Sequence, residues 1–207
     1  MVSSFVRKQL AIDSFHNIYV VDSLNSRIQK FNPTGTFITS FGNDGLKFSP
    51  SITIDSSNNI YVTTSYYQVQ KFNSSGSLVL TFGSYGSGDA QFTSGMYGIA
   101  VDSFGNIFVS DNGTNSIKKF SPTGGYITRY SSYGTGDGQN RGVMAIAIDS
   151  FDNIYFADNG NNRIQKLNSS GGYLSQFGSA GSGPGQFNFP RGIALDSFGN
   201  IYVVDAN

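Results

Sequence analysis

The feature that most constrains this chain is an internal repeat. The signature Ala-Ile-Asp-Ser-Phe-His-Asn-Ile-Tyr-Val, which ends at Val20, returns four more times with small changes, and its aspartate recurs as Asp13, Asp55, Asp102, Asp149 and Asp196. Successive aspartates are 42, 47, 47 and 47 residues apart. A period of this length identifies one supersecondary unit that cannot bury its apolar faces alone and must stack on its neighbours.

The content of one period points to strands. In the fourth repeat, four short runs rich in β-branched and aromatic residues, Ile146 to Ile148, Asn153 to Ala157, Arg163 to Leu167 and Tyr173 to Phe177, are separated by Asp-Ser-Phe-Asp, Asn-Gly-Asn-Asn and Asn-Ser-Ser-Gly. Such breaks are turn chemistry, so each period reads as an antiparallel meander of strands a to d. Four-stranded units at this spacing are blades of a β-propeller. The predicted fold is all-β, with four complete blades and a terminal half blade of strands a and b only. The whole chain, 1–207, forms one array, with repeats at approximately 5–47, 48–94, 95–141 and 142–188 and a half repeat at 189–207.

Strand a is short and mostly apolar, with a small residue recurring at Ala11, Thr53, Ala100, Ala147 and Ala194, and is placed innermost. The aromatics of strand d, Phe41, Phe82, Tyr130 and Phe177, are expected to pack between neighbouring blades. The fourth residue of the a–b turn is His16, Asn58, Gly105, Asp152 and Gly199 in turn. These are the residue types that best tolerate positive φ. The single histidine therefore reads as a turn residue, and the aspartate that opens each turn as an acceptor for turn N–H groups.

Gly192-Ile-Ala-Leu-Asp-Ser-Phe-Gly-Asn-Ile-Tyr-Val-Val-Asp205, Asp158-Asn-Gly-Asn-Asn-Arg-Ile-Gln-Lys-Leu167 and the linker Gly181-Ser-Gly-Pro-Gly-Gln-Phe187 resemble NHL repeats, from about Leu10 to Asn207. The resemblance implies a propeller, and NHL rings usually have six blades. On that expectation the chain is a piece of a longer propeller, or copies self-associate through open blade faces. The second repeat departs from the pattern with Thr64 in place of Asp22, Asp111 or Asp158 and Gln68 in place of Arg27 or Arg163, and the third has Ser116 at the arginine position. An Asp–Arg pair is thus complete only in the first and fourth repeats.

Composition then excludes much chemistry. The chain has no Cys, no Trp and one His, and all 13 acidic residues are Asp, balanced by 13 Lys and Arg. Disulfides, zinc–thiolate sites and histidine metal clusters lack their ligand atoms, so no metal, cofactor or catalytic residue is expected. Met1 to Asp13, with Arg7 and Lys8, holds no apolar stretch suited to a signal peptide, and no segment approaches a membrane span, so a soluble chain without membrane contact is expected.

In a meander the b–c loops and d–a linkers share one end of the blade, and the a–b and c–d turns share the other. The longer, more varied loop end is the expected site of function. Its candidate partner-binding residues are Tyr66, Tyr67, Tyr85, Tyr133, Asn112, Asn115, Asn161, Arg27 and Arg163. The Gly-rich linkers at Gly86, Gly134 and Gly181 read as interblade turns, since no helix or Lys-Ser pair follows to hold a phosphate. The leading reading is a noncatalytic interaction scaffold for a protein, peptide or glycan. RNA binding is the first alternative, through Arg27, Lys30, Lys71, Lys118, Lys119, Arg163 and Lys166, and a propeller lyase the second.

Overall fold

A computed structural model describes residues 9–47 and 51–206. The start of the first repeat near residue 5, its junction with the second at 48, and Arg7 and Lys8 lie outside the described residues. Contacts gather the chain into two compact units, Met1–Phe92 and Thr93–Asn207.

The first unit holds two blades. One is the sheet β1 (Leu10–Ile12), β2 (Ile18–Asp22), β3 (Arg27–Phe31) and β4 (Phe37–Phe41), and the other is β5 (Ile52–Ile54), β6 (Ile60–Thr63), β7 (Val69–Phe72) and β8 (Leu78–Phe82). The second unit holds β9 (Ile99–Val101), β10 (Ile107–Asp111), β11 (Ser116–Phe120) and β12 (Tyr126–Tyr130), then β13 (Val143–Ile148), β14 (Ile154–Asp158), β15 (Arg163–Leu167) and β16 (Tyr173–Phe177). A two-stranded sheet, β17 (Gly192–Leu195) with β18 (Ile201–Val204), completes it. Within these sheets the strands pair antiparallel and in sequence order, as the alternation of strand and turn chemistry requires, while each Gly-rich linker closes on a parallel bridge such as Tyr133 with Asn140.

Strand a adjoins its counterpart in the next blade: β1 contacts β5 in the first unit, and β13 contacts both β9 and β17 in the second. Its small residue has a specific cause. Ala11, Thr53, Ala100, Ala147 and Ala194 each pair across the ladder with the ring of Tyr19, Tyr61, Phe108, Tyr155 or Tyr202. A larger side chain there would compete with the ring for one space. Strand b is the most enclosed, and β10 and β14 are buried at every position, with sheet neighbours on both edges and, within the second unit, β13 against β10 and β17 against β14.

Among the described residues, an apolar core joins the blades within each unit. In the first unit Tyr19, Val21 and Ile28 meet Ile60, Val62 and Phe72, and in the second Phe108 and Ile117 meet Val143, Ile154 and Phe156. The strand d aromatics join them from the side. Phe41 packs 5.2 Å from Phe72 of the next blade, and Tyr130 stacks 6.3 Å from Phe108 while its hydroxyl donates to the Ser169 carbonyl of the following blade. Both rings stay half-buried. Phe177 instead packs on Phe187 of its own linker, at 6.3 Å.

Two features were not expected from sequence. The c–d pairing shifts register at the same place in all four complete blades, after Lys30, Lys71, Lys119 and Lys166. A bulge repeated at one position adds the same local twist to each sheet. Strand β13 also begins three residues before Ile146 because a register shift between Val143 and Ile146 lets pairing continue. No helix among the described residues is long and apolar enough to cross a membrane, which says nothing of a β-barrel.

Candidate functional site

The a–b turns are built alike. One oxygen of Asp13 accepts the N–H groups of Phe15 and Asn17, and the other accepts the Asn17 amide and the Tyr19 hydroxyl. Asp55, Asp149 and Asp196 repeat that set, and Asp102 repeats it without the hydroxyl, since Phe108 stands in the tyrosine position. His16, Asn58 and Asp152 lie at φ 62°, 62° and 61°, the left-handed region those residue types tolerate. A lysine of strand c closes the group. Lys30, Lys119 and Lys166 approach Asp13, Asp102 and Asp149 at 3.6, 3.4 and 3.4 Å while lying over the strand b ring. Burial raises the Asp13 and Asp149 carboxyls, but their hydrogen bonds outweigh it and hold both below the ordinary carboxylate value.

At the loop end of the first unit, Thr64 to Gln68 make a tight turn with Tyr67 at φ 59°. The Tyr67 ring lies 4.9 Å from that of Tyr85 in the following linker. Tyr66 and Tyr85 keep 57% and 68% of their surface, so this unit presents an aromatic cluster to solvent. Arg27 donates through Nε to Asp22 at 2.9 Å, and its side chain remains 43% exposed.

The loop end of the second unit is bound inward. Asp158 accepts Arg163 at 2.7 Å, Gln165 at 3.0 Å, Asn161 at 2.8 Å and the backbone N–H of Arg141 at 2.8 Å. Arg163, only 9% exposed at its side chain, also donates to the carbonyls of Gly136 and Gln139, and Asn161 donates to that of Gly134. These side chains clamp the linker between β12 and β13. Asn112 accepts the Val143 N–H at 2.8 Å, and the Asn115 carbonyl accepts the Asn140 amide at 2.7 Å. Of the candidates in this unit, Tyr133 alone keeps most of its surface, 65%, with the Arg141 guanidinium 5.6 Å from its ring.

The Gly-rich linkers are themselves closed loops. Gly134 donates to the Asn140 carbonyl and Gly181 to that of Phe187, while Gln139 and Gln186 accept Gly136 and Gly183 from inside the loop. Gly134 and Gly181 sit at φ 154° and 149°, which L side chains rarely adopt, so the backbone there calls for glycine. The N–H groups of Gly134, Gly136, Gly181 and Gly183 are thus spent on the loop itself.

The third blade answers its missing arginine in a way sequence reading overlooked. Lys118, at the position of Gln29 and Gln165, is fully buried and reaches Asp111 at 3.1 Å. Asp111 also accepts the N–H and hydroxyl of Thr93 and the hydroxyl of Thr114. Burial pushes its carboxyl up, and these bonds outweigh that and hold it low. The signal was available: a lysine replaces glutamine where arginine has become Ser116.

Sequence reading also passed over the opposite end. The third residue of the a–b turn is phenylalanine in every blade but the second, and Phe15, Phe104, Phe151 and Phe198 are all exposed, Phe151 at 83% and Phe198 at 90%. A core residue type is placed outside at one repeated position.

No family model matches the chain, and no curated protein matches it in sequence. Solved structures do match. Virginiamycin B lyase from Staphylococcus aureus aligns at a TM-score of 0.71 and 17% identity over 99% of this chain and 64% of the lyase. A streptogramin B lyase aligns at 0.67 and 18% identity, over 96% of this chain and 68% of its own length. A protein of unknown function from Bacteroides caccae aligns at 0.67 and 16% identity, over 95% and 69%. The chain thus spans 64% of the first of these proteins. Likeness at such identity speaks to architecture and leaves chemistry open. What it shows, with the sheets described above, is that this chain has the β-propeller fold: four four-stranded blades and a two-stranded part of a further one.

Proposed function

We propose that this chain is a noncatalytic binding propeller, related to NHL-type repeats, whose loop end takes a protein, peptide or glycan. The observation that supports this most is the division of labour at that end. The polar groups able to do chemistry, Asp158, Arg163 and Asn161, are committed to holding a linker, while Tyr66, Tyr85 and Tyr133 are left in solvent. Exposed tyrosine offers a rigid apolar face with a polar tip, and is enriched in binding surfaces.

Lyase chemistry is the competing reading, because two of the similar structures are lyases. Another similar structure is a histidine-to-alanine virginiamycin B lyase described as catalytically inactive, with quinupristin. In this chain the single histidine is an exposed turn residue at φ 62°, and no glutamate is present to act beside it. The ion pairs of Lys30, Lys118, Lys119 and Lys166 likewise argue against a basic face for RNA.

The test compares the protein with a Tyr66→Ser, Tyr67→Ser, Tyr85→Ser variant on peptide and glycan arrays. A tenfold or greater loss of bound signal with unchanged melting is expected. Retention of every signal contradicts the reading, as does turnover of quinupristin that disappears in His16→Ala.

A further inference from the structure

Successive a–b turns are latched to one another by a two-point contact. In the first unit the Ser14 N–H donates to Asn58 Oδ1 at 2.9 Å, and the Asn58 amide donates back to the Ser14 hydroxyl at 2.9 Å. In the second, the Ser103 N–H and hydroxyl donate to the two oxygens of Asp152 at 2.8 and 2.7 Å. The second residue of one turn is therefore a receptor for a planar two-headed group, a carboxamide or carboxylate, supplied by the fourth residue of the next turn.

At the following junction of the second unit the supplier is missing. Ser150 stands where Ser14 and Ser103 stand, but the fourth residue of the next turn is Gly199, and a Cβ built there would meet nothing within 4 Å. The N–H and hydroxyl of Ser150 have no hydrogen-bond partner among the described residues. Its turn is otherwise the same, since Asp149 accepts Phe151 and Asn153 as Asp102 accepts Phe104 and Asn106. The receptor is thus preformed. It opens on a cavity of about 610 Å³ lined by Phe151, Phe198, Lys166, Asp149 and Asp196.

We propose that this cavity is a binding site for a primary carboxamide carried on an apolar group. The amide takes the place that Asn58 fills at Ser14, its oxygen on the Ser150 N–H and its NH₂ toward the Ser150 hydroxyl. The apolar part lies against Phe151 and Phe198. For a free ligand charge favours the amide over the carboxylate, because Asp149 and Asp196 line the cavity against one ammonium, Lys166, already 3.4 Å from Asp149; the Asp152 carboxylate at Ser103 is held in place by its own backbone, which a free carboxylate lacks. The carboxamide can come from a free small molecule or from an Asn or Gln side chain of a peptide. This site is at the turn end of its blade and stands independently of the loop-end reading.

Titration of ¹⁵N-labelled protein with benzamide, benzoate, benzyl alcohol and N-acetyl-glutamine methyl ester tests it through the Ser150 amide resonance. Benzamide is expected to move that resonance with a dissociation constant of roughly 1–10 mM, as suits a solvent-exposed two-bond contact. Benzoate should bind at least fivefold more weakly, and the glutamine ester distinguishes a peptide side chain from a small molecule by its affinity relative to benzamide. Gly199→Asn supplies the missing latch in a position where Asn58 already sits at φ 62°, so it should fold normally and lose benzamide at least tenfold. Ser150→Ala should lose it severalfold. A Ser150 resonance unmoved by benzamide, benzyl alcohol or benzoate binding as well as benzamide, or full binding by Gly199→Asn would overturn the proposal.

Discussion

The two ends of the fourth blade invert the usual placement of residue types. At the loop end a carboxylate, a guanidinium and two amides are turned inward, and Asp158 gathers Arg163, Gln165, Asn161 and the Arg141 N–H about one point. At the turn end Phe151 stands in water and Ser150 keeps unused donors. Polarity alone would have named the loop end functional and the turn end structural. The difference teaches that a polar residue signals a site only after its partners have been counted, because burying it requires that every partner be supplied.

The strongest way to break this comparison is to remove a carboxylate from the sealed end. Asp158→Ala removes the carboxylate partner of the buried Arg163 guanidinium and releases the Arg141 N–H, and breaking such a pair costs about 3–5 kcal/mol. Urea unfolding should show that loss, and one under about 1 kcal/mol would mean that the sealed end is not held by its carboxylates. Acid tests the carboxylates of both ends at once. The carboxyls of Asp13, Asp111 and Asp149 lie below their unfolded value of about 3.9. Their contribution is therefore complete above that value and is lost as pH falls through the lower folded values. The melting temperature should be flat from pH 7 to about 5 and fall steadily below about 4. A melting temperature that holds to pH 2 would contradict the sign of these shifts. The smallest effect belongs to the open end, where Phe151→Ser and Phe198→Ser should each change stability by no more than about 0.5 kcal/mol. A larger loss in either would show that these rings pack after all.

The repeat made the fold readable. Its aspartates marked the a–b turns, and the left-handed set His16, Asn58, Gly105, Asp152 and Gly199 marked where each turn reverses. The strands of the fourth repeat differ from the sequence reading only at the start of β13, where a register shift no residue announces lengthens the strand, and at β14, which runs one residue later. The c–d bulge was equally silent, since twist is a property of the sheet rather than of one residue. The site was less readable because identical residues meet different surroundings. Arg27 and Arg163 occupy the same place in their repeats, yet one is 43% exposed and the other 9%: a linker brings the Gly136 and Gln139 carbonyls to Arg163, while Arg27 donates to Asp22 alone among the described residues. A single sequence shows which side chains recur; whether a neighbour covers them is decided by contacts some 25 residues away, such as Arg163 to Gln139.

Amide hydrogen exchange tests the contrast between the two ends most directly. The Arg141 N–H, held by Asp158 at the sealed end, should be strongly protected in the wild-type protein and become fast in Asp158→Ala, while the unpartnered Ser150 N–H exchanges rapidly in both. Equal exchange at Arg141 and Ser150 in the unmodified protein would contradict the account.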